Sequence, residues 1–173
     1  MAMGLEEAIQ TALEFETRVR DVYAQAAARA KDPAARRTLG TLAAEEQGHI
    51  NFLHAKLDEW RRSGEVTDER LATALPSRAA LREGRKGLRQ RLPLPQVERA
   101  AAEATLRRAL AVEADVGAFY RRVVADVPPA SRPLFARFLE IEEGHLAIVQ
   151  AELDSITGLG YWFDVQEFRL EAE

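Results

Sequence analysis

Cysteine is absent from the 173-residue chain. That absence excludes disulfides, thiol catalysis, thiolate-bound zinc and iron–sulfur or rubredoxin-type iron. No apolar run approaches the length of a membrane span. The opening "MAMGLEEAIQ" carries acids where a signal peptide would carry a basic region and an apolar run, so a soluble cytoplasmic protein is expected. No excess of one charge exists either. The net charge is −4, from 24 basic and 28 acidic residues, which gives no general reason to expect nucleic acid or an anionic membrane as partner. Strand signals are scarce.

What is present is helical. Alanine, leucine, glutamate and arginine, all strong helix formers, dominate the chain. The length allows one domain with a real core. Apolar spacing predicts helices over about 5–30, 33–62, 96–126 and 133–156. On the first, Leu5, Ile9, Ala12, Leu13, Val19, Tyr23 and Ala27 form the inner stripe. "KDPAARR" reads as a stop and restart, with Asp32 as N-cap and Pro33 as the first helical residue. The second helix should end near Ser63 and Gly64. "VPPASRPLF" is the other short turn. Residues 65–95, with three prolines, two glycines and the basic run "RAALREGRKGLRQR", read as a long crossover holding at most a short helix around Glu69 to Ala74. The tail, 157–173, has no helical period. Two short turns and one long crossover predict an all-α four-helix bundle with ferritin-like connectivity.

The two predicted hairpins resemble each other. "ALEFETRVRDVY" aligns with "ALAVEADVGAFY", and "EEQGHINFLHAKLD" with "IEEGHLAIVQAELD". Each half thus supplies one glutamate from its first helix, Glu16 or Glu113. From its second helix it supplies a glutamate and a histidine three residues apart: Glu46 with His49, and Glu142 with His145. Residues three apart share a helix face, and all six fall on inner stripes among leucines. Glu16 and Glu46 are equidistant from the Lys31-Asp32-Pro33 turn, and Glu113 and Glu142 from the Val127-Pro128-Pro129 turn, so each pair should meet at one level. Four carboxylates at one buried level repel and are costly to desolvate. Two divalent cations balance them, and two neutral imidazoles complete the coordination. The mixed oxygen and nitrogen set suits iron or manganese, with zinc as an alternative. It is the ligand pattern of di-iron and di-manganese carboxylate bundles. The bland readings are a solvated Glu-x-x-His face, or a site that kept its ligands and lost its chemistry.

These residues resemble the rubrerythrin-like (erythrin) branch of the ferritin-like superfamily, over about residues 5–156. The resemblance implies ligand roles for Glu16, Glu46, His49, Glu113, Glu142 and His145. It also implies that Tyr23 and Tyr120, each seven residues past a ligand glutamate, hydrogen-bond the site's carboxylates; otherwise they are ordinary core aromatics. Two departures stand out. No rubredoxin domain is present to deliver electrons. Where the family usually carries an extra glutamate three residues after the third-helix ligand, this chain has Val116, which moves the set towards plain ferritin-like sites.

The function expected from this resemblance is a two-iron redox enzyme. It would react with hydrogen peroxide or dioxygen as a peroxide reductase or ferroxidase, using an external electron donor or ferrous iron. Alternatives are a di-iron oxygenase acting on an organic or RNA substrate, with room left by Ala12, Ala43, Ala109 and Gly117, and a non-enzymatic iron storage protein. A homodimer is expected. His54 reads as a surface residue, Glu45 and Glu143 as solvated or as supports behind the ligand glutamates they neighbour, and Glu152 as surface or partner-facing. The basic crossover reads as a solvated loop or a dock for an acidic donor; without interleaved aromatics it gives little support for RNA. Tyr161, Trp162, Phe163 and Phe168 form an aromatic cluster that should cap the bundle or pack on another subunit.

Overall fold

Helix boundaries follow local chemistry closely. The computed structural model describes residues 3–73, 75 and 96–157, without the side chain of Ala34. Among the described residues there are four long helices and no strand: α1 (Leu5–Arg29), α2 (Pro33–Ser63), α3 (Gln96–Asp126) and α4 (Arg132–Thr157). None is long and apolar enough to cross a membrane. Asp32 caps α2 by accepting the Ala35 backbone N–H at 3.1 Å, with Pro33 at the first helical position. From the first turn of α2, Arg36 donates back to the Ala30 carbonyl at 2.8 and 3.1 Å, satisfying an acceptor where α1 has ended. Gly64 stops α2. Its φ of 73° lies in the left-handed region, and its N–H returns to the Trp60 carbonyl at 2.7 Å. A 3₁₀ turn, Pro129–Ser131, leads into α4.

The helices form a bundle in which α1 packs on α2, α3 on α4, and α1 on α3. Ion pairs mark its ends. Arg61 near the end of α2 meets Glu6 near the start of α1 at 2.8 Å. Lys31, just past α1, meets Glu98 at the start of α3 at 2.7 Å. The end of α2 and the start of α3 therefore lie at opposite ends of the bundle. The core is aliphatic with a few large rings, including Leu42, Leu53, Ile148, Phe135 and Phe138. On α1 the buried stripe centres on Ala8, Ile9, Ala12, Val19, Val22, Tyr23 and Ala26, while Leu13 and Ala27 are only partly buried.

The expected short helix at Glu69 to Ala74 is not formed: Glu65 to Thr73 is irregular. Side chains from the bundle take the carbonyls that a helix would use. Buried Lys56 donates to the Thr67 carbonyl and hydroxyl at 3.2 and 2.6 Å, and Arg137 donates to the Leu71 carbonyl at 3.0 Å. Thr73 donates to Glu45 at 2.6 Å. Leu71 and Leu75 bury their side chains in the core, so this segment is strapped across the bundle by three polar anchors and two leucines. The basic run 78–91 and the aromatic cluster at 161–168 lie outside the described residues.

Candidate metal centre

Six polar side chains occupy the middle of the bundle. Glu16, Glu46, His49, Glu113, Glu142 and His145 are each 1% exposed or less. One helical repeat explains how: Glu46 and His49 are one turn apart on α2, as are Glu142 and His145 on α4. The four helices then bring the six residues into two overlapping groups. Glu16, Glu46, His49 and Glu142 form one; Glu46, Glu113, Glu142 and His145 form the other. In each group, ligand-type atoms lie within 4.8 Å of one another.

Glu46 and Glu142 belong to both groups, and their oxygens are divided between them. Nδ1 of His49 lies 3.1 Å from Glu46 Oε2 and 3.3 Å from Glu142 Oε1, with Glu16 Oε2 at 3.0 Å. Nδ1 of His145 lies 2.7 Å from Glu46 Oε1 and 3.3 Å from Glu142 Oε2. The imidazole rings are parallel, 2° apart in plane and 5.4 Å between centroids. Each shared glutamate therefore turns one oxygen to each histidine.

Protons alone do not satisfy this arrangement. An Nδ1–H can serve one good acceptor, yet three carboxylates converge on His49. Only its contact with Glu16 has hydrogen-bond geometry. Both oxygens of Glu46 and of Glu142, Oε2 of Glu113 and both nitrogens of His145 are buried without a hydrogen-bond partner. Orphans of this kind cost roughly 1–3 kcal/mol each, more when charged. Neighbouring ligand atoms on an octahedron with bonds of about 2.1 Å sit about 3.0 Å apart, which is the spacing found around the two Nδ1 atoms. The donor set and its geometry fit a pair of divalent cations.

The six groups shift one another's protonation strongly. Burial, then the charges of Glu142 and Glu46, pushes the Glu16 carboxyl well up. Burial and Glu142 do the same to Glu113. For the histidines burial opposes the charged form, but the surrounding carboxylates outweigh it and raise both imidazoles. Glu46 is also opposed by burial, yet His145 and His49 hold its carboxyl below the usual range.

The tyrosines cross the bundle. Tyr23 of α1 donates to Glu113 of α3, and Tyr120 of α3 donates to Glu16 of α1. Burial and the partner carboxylates raise both phenols, so they remain protonated donors. Each holds one oxygen of an unshared glutamate.

Phe138 was not singled out by sequence. It stands edge-on to the His49 ring at 5.5 Å and stacks on Tyr120 at 5.1 Å. Its position four residues before Glu142 on the same face of α4 was the available signal. Phe138→Ala is expected to cost about 3–5 kcal/mol in urea unfolding, because it removes a buried ring that braces two site residues at once.

Other candidates fall elsewhere. His54 is exposed. Glu45 is half-buried rather than solvated, held by Thr73, and its carboxylate reaches within 4.8 Å of ligand-type nitrogens of both histidines. Glu143 is partly exposed and pairs with Arg121 at 3.7 Å. Glu152, expected at the surface, is buried on α4 because it shares the inward stripe with Leu153 and Val149. It lines a cavity of about 410 Å³ with Ala26, Leu39 and Leu106. A second cavity, about 680 Å³, lies between the strap and the start of α4. None of the six central residues lines either one. The small residues Ala12, Ala109 and Gly117 are buried in helix packing.

No protein-family model, curated protein or solved structure matches the chain.

Proposed function

We propose that this chain is a ferritin-like dinuclear metal protein, built from a duplicated helical hairpin, that binds two irons and reduces hydrogen peroxide or dioxygen. The observation that carries the reading is the division of Glu46 and Glu142 oxygens between two histidines. In this reading Glu46 and Glu142 would each serve both metal positions, while Glu16 with His49, and Glu113 with His145, would each hold one. Tyr23 and Tyr120 hold the unshared carboxylates in place, which fixes their outer oxygens and leaves the inner ones for metal. Buried helices exclude bulk water from the pair. When bound, two irons supply redox equivalents and open positions for an oxidant.

Reduction of peroxide to two waters consumes two electrons and two protons. With no cysteine, the chain has no rubredoxin-type relay, so the electrons come from a separate donor protein or from ferrous ions themselves. The peroxide or dioxygen reading is preferred to an oxygenase because neither large cavity borders a candidate ligand.

The test is anaerobic reconstitution with ferrous iron, elemental analysis, and stopped-flow mixing with peroxide or with oxygenated buffer. Two irons per chain, oxidised in a fast phase by one of the two oxidants, is the expected result. Two irons that oxidise no faster than free ferrous ion in the same buffer would leave a structural metal bundle.

A further inference from the structure

A third cavity, of about 130 Å³, lies between the strap and α4. Its wall includes Thr73, Leu75, Arg137, Glu140, Gly144 and His145. It is thus bordered by a member of the central cluster, as the two larger cavities are not. We propose that it is the port through which small ligands reach the metal pair, and that it serves the His145 position rather than the His49 position. The inference rests on the dinuclear reading above and adds to it the route and the size of the reactant.

Three observations carry it. The first is continuity. His145 itself lines the cavity, and Thr73 on the same wall donates at 2.6 Å to Glu45, whose carboxylate stands within 4.8 Å of ligand-type nitrogens of both imidazoles, so wall and centre share side chains. The second is size. Sites for drug-sized organic molecules occupy about 300–1,000 Å³. A cavity of about 130 Å³ has room for a few waters or a molecule of a few non-hydrogen atoms, such as peroxide, dioxygen or azide. The third is the frame. Arg137 pairs with Glu140 at 2.7 Å while donating to the Leu71 carbonyl at 3.0 Å. Arg70 also reaches Glu140, at 3.3 Å, so the mouth is braced and carries two arginines against one glutamate, a balance that admits a neutral molecule or a small anion such as azide. His49, by contrast, lines none of the three cavities, and the Phe138 ring stands edge-on to it at 5.5 Å.

The experiment uses azide and full-length protein loaded with iron and then oxidised, following the azide-to-iron absorption by stopped flow. Iron content is measured on every sample. Leu75→Trp and Gly144→Val add volume to the wall at positions that are not themselves proposed ligands; Leu75→Ala widens it. In wild type, azide is expected to bind and benzoate, a larger anion, to give no spectral change. Either filling variant that keeps two irons should slow azide binding at least tenfold. Leu75→Ala should speed it about threefold and serves as the deciding variant if both filling variants lose iron. Azide rates within twofold of wild type in the iron-retaining variants would overturn the port while leaving the metal centre standing. Wild-type protein that retains no iron would overturn the centre, and the port with it.

Discussion

Glu142→Gln is expected to empty both metal positions, whereas Glu113→Gln is expected to empty one. The difference follows from the sharing of carboxylates. Glu142 turns Oε1 to the His49 side and Oε2 to the His145 side, so its loss takes a charged oxygen from each position. Two neighbouring dications would repel, and a carboxylate that faces both positions would offset that repulsion. Glu113 belongs to the His145 group alone. The amide of glutamine keeps the shape and removes the charge, so the comparison isolates electrostatics from packing. Elemental analysis after reconstitution and desalting should give about two metals per wild-type chain, near one for Glu113→Gln and near none for Glu142→Gln. The corresponding pair, Glu46→Gln and Glu16→Gln, should repeat the pattern. Equal losses in the shared and unshared variants would contradict the division of ligands.

Metal should also stabilise the fold by an amount that grows with pH. At free metal a thousandfold above Kd, one site contributes about 4.1 kcal/mol. For a chain of this size each kcal/mol moves Tm by about 2–4 °C, so each occupied site should raise Tm by about 8–16 °C. The sign of the pH dependence comes from the raised groups. Glu16 and Glu113 bind protons more tightly in the folded chain than at the ordinary value of 4.5, and His49 and His145 more tightly than at 6.5. Their contribution to stability is fully present below those ordinary values and is lost as pH rises through the folded ones. Glu46 is depressed and has the opposite sign, but its window lies below the ordinary carboxylate range. From about pH 5 upward the metal-free protein should therefore lose stability. Metal displaces these protons, so its affinity rises over the same range. Calorimetry of chelator-treated and manganese-loaded protein at pH 5.5 and pH 8 tests both halves. Manganese avoids oxidation during heating. A metal-free Tm that rises between these pH values, with a metal shift independent of pH, would sink the account.

The helices and the buried polar stripe were legible because their causes are local. A 3.6-residue period, the Asp32-Pro33 start and the Gly64 stop depend on a few neighbouring residues, and α1 to α4 end within one residue of where those signals place them. The presence of Glu16, Glu46, His49, Glu113, Glu142 and His145 on inward faces follows from the same period. The irregular strap was not legible. Leu71 and Leu75 have helical spacing, but Lys56 and Arg137, distant in sequence, take the carbonyls of Thr67 and Leu71. Glu152 misled for a similar reason: whether a charge near the edge of a stripe is covered depends on how far its helix is rotated against its neighbours.

The helices, their inward faces and the six polar residues on them are properties of short stretches of chain, because the periodicity of a single helix sets which side chains share a side. Packing between helices sets which carboxylates face both histidines, that each tyrosine reaches across to the other hairpin, that Phe138 stands against His49, and that a small cavity meets His145. Those facts depend on the rotation and axial offset of one helix against another. Packing of the whole core sets both, and no single stretch of chain encodes either.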